Sequence, residues 1–185
     1  IRRTEPAPDV VLLQEVEDRN VLADLTSVYL PEYGYRHRIV GGPEESATQV
    51  GLLTHLPVAA VRTHAPPEAD HPLRNVLEVT LQVGDETLHL FGNHWKSRAG
   101  EGDGEELRFQ TARMVRARAE AILSREPSAR IVLAGDFNTE AQPAPPPPGP
   151  AGRSEPPLAL GWVGETIPVT TDRADCVGEV FRFYS

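Results

Sequence analysis

Three strand-like segments of this chain lead into polar residues, and this pattern constrains the fold more than any other feature. The segments VVLL, TLHLF and IVLA are followed by Gln14-Glu15, by Asn93-His94 after Gly92, and by Asp136 and Asn138 after Gly135. Short apolar segments of this length are typical of buried strands. Polar groups where buried strands emerge suit a site built on a rigid sheet. The sequence therefore predicts a core sheet with polar residues at the ends of its strands.

The remaining pattern predicts a mixed α/β fold. Alternating hydrophobicity and the turn Gly84-Asp85 predict a hairpin of two strands, 75–83 and 86–91. Helical spacing predicts helices over 18–28 and 105–123, and further strands are expected at 35–40 and 50–53. The order of strand, helix, several strands, helix and strand favours an α/β architecture with substantial antiparallel pairing.

Composition indicates one ordinary globular domain of 185 residues without a membrane-spanning segment. The net charge of −9 argues against a protein that packages nucleic acid through its own basic residues, but bound cations leave a nuclease open. The lone Cys176 excludes an internal disulfide. Residues 141–157 hold eight prolines, which predicts an exposed linker or insertion.

Each polar group taken alone has an ordinary structural interpretation. Glu15 after a strand suits a solvated loop, and Asn93-His94 suits a turn with a satisfied histidine. Gly135-Asp136-Phe137-Asn138 suits an Asx turn, although the glycine and the spacing of Asp136 and Asn138 make it the strongest candidate for function.

Taken together and in order, the motifs resemble the endonuclease/exonuclease/phosphatase superfamily of deoxyribonuclease-like phosphoesterases, especially its bacterial members. PDVVLLQEV resembles the first acidic motif, VGLLTHLPV the following strand, RNVLEVTL the strand before the histidine motif, LFGNHWKS the histidine motif, and IVLAGDFN the Gly-Asp-Phe-Asn motif. The resemblance runs from Pro8 to Asn138. Several motifs in the correct order are much more specific than any one of them.

The resemblance implies a four-layered α/β/β/α sandwich and a metal-dependent phosphodiesterase or nuclease. Glu15 would ligate a divalent cation, Mg²⁺ or Mn²⁺, for which a carboxylate oxygen is a suitable donor. Asp136 would orient or deprotonate the attacking water, and His94 would donate to the phosphate or assist proton transfer. Asn138 would bind a phosphoryl oxygen or help to place the water. Candidate substrate contacts are Asn93, Lys96 and Ser97. The expected partner is a phosphoester substrate, with nucleic acid among the open classes.

Two parts of the family pattern are not found in this sequence. Nothing before Pro8 resembles the Asn-bearing first strand, and no histidine follows His94 to complete the closing Asp-His pair. The expectation is a chain truncated at both ends, with weak or no turnover if these residues fold alone. The alternative is an inactive homologue that serves as a binding or scaffold module. A secreted or periplasmic location is an open expectation, and the oligomeric state is not predicted.

Overall fold

The computed structural model describes residues 7–42, 47–66, 75–97 and 104–138, together with the backbone of 180–182. The proline-rich stretch 141–157 lies outside these residues, as do residues 161–163, whose sequence is strand-like. The strands are β1 Val10–Val16, β2 His37–Gly41, β3 Gln49–Thr54, β4 Val58–His64, β5 Val76–Val83, β6 Glu86–His94, β7 Arg130–Asp136 and β8 Val180–Arg182. The helices are α1 Arg19–Asp24 and α2 Gly104–Leu123, and α1 continues into a π turn, Leu25–Tyr29, and a 3₁₀ turn, Pro31–Tyr33.

The strands form two sheets, ordered β1-β3-β2 and β4-β5-β6-β7-β8. All pairs are antiparallel except β6 and β7, which are parallel. A parallel pair needs a long crossover connection, and α2 lies within it. The predicted hairpin is confirmed, since β5 and β6 pair across Gly84-Asp85. Strand β4 was not predicted from the sequence.

Three hydrophobic clusters separate four layers of secondary structure. Between α1 and the first sheet lies a cluster around Leu22 and Leu53. Between the two sheets lies a cluster that includes Leu52 and Leu90. Between the second sheet and α2, Phe91 packs with Val115. The layers are therefore helix, sheet, sheet and helix, which confirms the predicted four-layered sandwich.

The two sheets pack closely where β6 passes under the first sheet. A Cβ atom on Gly92 would lie 2.8 Å from both Leu12 Cδ1 and Val50 Cγ1. Real Cβ atoms do not make contacts this short, so any side chain at this position would displace the Leu12 and Val50 side chains. This contact fixes the end of β6 beneath the end of β1, where the polar residues of both strands emerge.

A buried ionic cluster joins β4, β5 and α2. The fully buried Glu78 carboxylate accepts two hydrogen bonds of 2.7 Å from Arg118 and lies 2.6 Å from His64 Nε2. Burial raises the pKa of this carboxyl, but the hydrogen bonds from Arg118 and His64 outweigh burial, so the pKa lies below its ordinary value of 4.5. The cluster anchors α2 to the second sheet.

Helix α1 begins at a side-chain cap. Asp18 accepts hydrogen bonds from the backbone N–H groups of Asn20 and Val21 at 2.7 and 3.0 Å, which satisfies two donors that a helix start leaves unpaired. The bond from Val21, supported by the bonds from Asn20, outweighs desolvation and lowers the pKa of the Asp18 carboxyl. Neither helix in the described ranges is long and apolar enough to cross a membrane.

Candidate active site

Glu15 lies in an irregularity of strand β1. The pairing of β1 with β3 shifts register between Leu13 and Val16, and Glu15 has a left-handed backbone with φ 58°. A bulge of this kind reorients the side chain of the extra residue. The Glu15 side chain is exposed, whereas the next residue, Val16, is 5% exposed and packs toward α1. The strand therefore extends beyond the predicted end at Leu13 and displays one carboxylate at its margin.

His94 and Asp136 are direct neighbours at the ends of β6 and β7. The parallel register pairs them, and His94 Nε2 lies 3.9 Å from Asp136 Oδ2. The His94 side chain is 5% exposed, while the Asp136 side chain is 52% exposed. The pair thus places a buried imidazole behind a carboxylate that solvent or a substrate reaches.

Asn138 closes a tight turn onto Asp136. Its backbone N–H donates to Asp136 Oδ1 at 2.8 Å, and its side-chain Nδ2 donates to the carbonyl oxygen of Trp95 at 3.0 Å. The Trp95 N–H in turn donates to the Asp136 carbonyl oxygen at 2.9 Å. The Asx-turn interpretation is therefore correct as local structure. It is compatible with a functional one, because the turn fixes Asp136 and Asn138 beside His94.

Asn93 occupies the opposite face of β6 from His94, since neighbouring residues of a strand point to opposite faces. Its side chain is fully buried. Its Nδ2 donates to the carbonyl oxygens of Phe91 and Ala134 at 2.9 and 3.2 Å, and its Oδ1 accepts from Trp95 Nε1 at 3.0 Å. These bonds hold the Asn93 side chain in the protein interior. Its contact with substrate remains a prediction, and the geometry favours a role in positioning Trp95.

Gly135 allows β7 to lie against β6 at the site. It has φ 131°, and a Cβ atom there would lie 1.9 Å from the Asn93 carbonyl oxygen. No side chain fits against a backbone atom at that distance. The glycine of the Gly-Asp-Phe-Asn motif is therefore required for the close pairing that brings Asp136 to His94.

Lys96 and Ser97 leave β6 at the same end of the sandwich. Lys96 is exposed, and its carbonyl oxygen accepts a hydrogen bond of 3.0 Å from Arg108 Nη1 on α2. Ser97 is half-buried. The next six residues of the chain lie outside the described ranges, so the structure gives the two positions without testing either as a substrate contact.

The end of β1 lies over the ends of β6 and β7. Gly92, two residues before His94, packs against Leu12, three residues before Glu15, and β1 also contacts β7. The structure thus brings Glu15, His94, Asp136 and Asn138 to one end of the sandwich. The residue that sequence reasoning missed is Trp95. It is 7% exposed, and its ring packs edge-on against Phe137 with centroids 4.9 Å apart.

The donors of the described residues fit a divalent cation held by few protein ligands. No three His, Cys, Asp or Glu side chains converge as a metal cluster within those residues. Mg²⁺ is commonly held by one or two carboxylates, several waters and substrate phosphates. Glu15 is an exposed carboxylate, and the neighbouring Gln14 Oε1 is a buried oxygen that accepts no hydrogen bond from the described residues. These oxygen donors suit a hard cation.

The described residues thus form a four-layered sandwich with a His-Asp pair at the ends of the adjacent strands β6 and β7. The model of the Endonuclease/Exonuclease/phosphatase family matches residues 2–145, well over half of the 185 residues. The chain belongs to the endonuclease/exonuclease/phosphatase family. No curated protein matches it significantly.

Solved structures support the same fold. Sphingomyelinase C from Streptomyces griseocarneus aligns with a TM-score of 0.60 and 22% identity, over 75% of this chain and 55% of that one. Truncated TDP2 from Caenorhabditis elegans aligns with a TM-score of 0.58 and 17% identity, over 72% of this chain and 51% of that one. TDP2 from D. rerio, complexed with single-strand DNA product, gives 0.53 and 19%, over 72% and 49%. The chain spans about half the length of these structures.

Proposed function

We propose that this chain carries the central part of the active site of a metal-dependent phosphoesterase that cleaves phosphodiesters. The proposal depends above all on one observation, the register pairing that sets His94 Nε2 3.9 Å from Asp136 Oδ2. An oxygen atom at ordinary hydrogen-bond distance from both atoms fits this spacing. Membership of the family and the fold shared with sphingomyelinase C and TDP2 support the proposal.

Asp136 is the proposed base that orients and deprotonates the attacking water. One of its oxygens accepts from the Asn138 N–H, which holds the carboxylate in place, and the other faces His94. His94 donates a hydrogen bond as negative charge builds on the phosphoryl oxygens. General acid–base groups placed in this way contribute about 10² to 10⁴ in rate.

Asn138 and Glu15 complete the proposed chemistry. The Asn138 Nδ2 group uses one hydrogen for the Trp95 carbonyl oxygen, which leaves its second hydrogen for a phosphoryl oxygen or the water. Glu15 is the proposed ligand of Mg²⁺ or Mn²⁺. A bound cation would neutralise charge on the phosphate, which a chain of net charge −9 otherwise repels.

Substitution of Asp136 in the full-length gene product tests the proposal. With bis(4-nitrophenyl) phosphate and Mg²⁺ or Mn²⁺, Asp136→Ala should lower kcat by about 10² to 10⁴ with little change in fold. Asp85→Ala is the matched control, because Asp85 is an exposed aspartate in the β5–β6 turn, and it should retain full activity. Near-normal turnover by Asp136→Ala would refute the assignment.

Metal binding separates the enzyme from an inactive homologue that acts as a scaffold. Calorimetry with Mg²⁺ and Mn²⁺ should show binding that Glu15→Gln abolishes. Wild-type protein that binds neither ion would favour the scaffold. Cleavage of plasmid DNA, compared with phosphate release from soluble monoesters, then distinguishes a nuclease from a small-molecule phosphatase.

A further inference from the structure

A basic groove lies along β2, away from the candidate active site. Its volume is about 340 Å³, and four basic side chains line it, Arg19, Arg36, His37 and Arg38. Arg19 stands in the first turn of α1, and the other three follow one another into β2. Aliphatic side chains line the rest, and no acidic residue of the described ranges does so.

The groove arginines have no carboxylate partner among the described residues. Within the described ranges, no Asp or Glu oxygen lies within 4.0 Å of Arg19, Arg36 or Arg38. Arg38 donates only to the neutral Thr26 hydroxyl, at 3.1 Å, which orients its guanidinium without neutralising it. Elsewhere, arginines pair with glutamates in Arg118–Glu78, Arg116–Glu120 and Arg130–Glu86. Three arginines without a carboxylate partner among the described residues thus line one groove of an acidic chain.

The position of the groove separates it from the proposed chemistry. Strands β2 and β4 are the outer strands of their sheets in the described part of the chain, and both contribute to the groove. His94 and Asp136 lie on β6 and β7, and Glu15 lies on β1. A ligand in the groove therefore contacts none of these three residues.

The lining combines two kinds of recognition. Arginine forks match phosphate oxygens bidentately. Beside them, Ile39, Val58 and the 45% exposed Val61 provide an apolar surface, which suits a base or a sugar better than a bare ion. The volume falls at the lower end of the range for small-ligand sites, about 300 to 1,000 Å³. A concave site of this size fits a single nucleotide unit better than a flat anionic membrane.

We propose that this groove is an accessory site for a nucleotide unit, a phosphate attached to a nucleoside, either free or within a nucleic-acid strand. The arginines hold the phosphate, and the aliphatic residues cover the nucleoside. The site goes beyond the proposed hydrolysis and does not depend on it, since binding there needs neither the cation nor His94 and Asp136.

Binding measured in EDTA tests the site without turnover. The probes are AMP, inorganic phosphate and a labelled short oligothymidylate, used with wild-type protein and Arg19→Gln/Arg36→Gln. Both substituted side chains are exposed, so the variant should fold normally. Its affinity for AMP or for the oligonucleotide should fall by about tenfold or more, because charge-assisted contacts are lost.

Arg113→Gln/Arg116→Gln on α2 is the matched control, since it removes the same charge from another surface, and its affinity should stay within about twofold of wild type.

Weaker binding of AMP by Arg19→Gln/Arg36→Gln identifies the groove as a site for a free nucleotide. Weaker binding of the oligonucleotide alone identifies it as a site for a nucleic-acid strand. Either result supports the proposal. The proposal would be overturned if both double variants lost the same affinity. It would also be overturned if the wild-type protein bound neither AMP nor the oligonucleotide, or if it bound anionic vesicles instead. Cleavage of the small chromogenic ester should be unchanged in Arg19→Gln/Arg36→Gln, so the groove and the catalytic proposal fail independently.

Discussion

Substitution of Asn93 by leucine tests whether this residue contacts substrate or positions the site. Leucine keeps the branched shape of asparagine and removes all three hydrogen bonds of its side chain, at 2.9, 3.2 and 3.0 Å. The Trp95 indole N–H loses its bond to Asn93 Oδ1 and remains buried, which costs about 1–3 kcal/mol. The Phe91 and Ala134 carbonyl oxygens each lose one bond, worth about 0.5–1.5 kcal/mol.

We therefore expect Asn93→Leu to lower the free energy of unfolding by about 2–4 kcal/mol, since leucine recovers part of the loss through apolar burial. For a chain of this size the Tm should fall by about 5–15 °C. Urea titration followed by circular dichroism measures the change. Asn20→Leu is the control, because Asn20 is exposed with a single side-chain bond to Asp18, and its effect should stay within about 0.5 kcal/mol.

The kinetic effect separates the two roles of Asn93. A positioning role predicts a lower kcat, because Trp95 also accepts the bond from Asn138 Nδ2 and its displacement moves the turn that holds Asp136. A substrate contact predicts a higher KM at wild-type stability. An Asn93→Leu protein with wild-type stability and a raised KM would refute the positioning argument.

Two further predictions concern stability. Gly135→Ala should destabilise the protein by more than the roughly 1–3 kcal/mol of backbone strain alone, because the new Cβ atom would overlap the Asn93 backbone. Gly84→Ala is the control, since Gly84 also has a positive φ but has open space around it. It should cost only about 1–2 kcal/mol in the same urea titration. Glu78→Gln should cost about 3–5 kcal/mol at neutral pH, because it leaves Arg118 without its carboxylate. Because folding lowers the Glu78 pKa, its stabilisation is present above 4.5 and is lost as the pH falls below that value. Urea midpoints of wild type and Glu78→Gln should therefore converge in acid, and a constant difference would contradict this assignment.

The sequence predicted β1, β7 and the β5–β6 hairpin well, because their signals are local. Continuous apolar segments identified β1 and β7, and alternation with a Gly-Asp turn identified the β5–β6 hairpin. Strand β4 was missed because most of its residues are exposed or half-buried. Two of its polar residues, Arg62 and His64, belong there because they face Glu78 on the neighbouring strand. That partner is fixed by tertiary pairing, which no local pattern reveals.

The candidate site was predicted less completely than the fold. Because Asn93 and His94 are adjacent polar residues in the sequence, we expected them to act together, but neighbouring side chains of a strand point to opposite faces. Alternation was therefore a usable signal for separating them. No local signal indicated that Trp95 would link Asn93 to Asn138, because this link depends on the parallel pairing of β6 with β7.

Backbone strain supplies support for the site that is independent of the motifs. Among the described residues, the non-glycine positions with positive φ are Glu15 and Asn138, at 58° and 50°, and both stand in the motifs from which the site was predicted. A left-handed backbone costs a residue with a side chain about 1–2 kcal/mol, although asparagine tolerates it better than glutamate. Glycine would relieve that strain at either position but would remove the carboxylate or the amide. A fold that retains a strained Glu15 at a bulge and a strained Asn138 beside Asp136 keeps these groups where the proposed hydrolysis would use them.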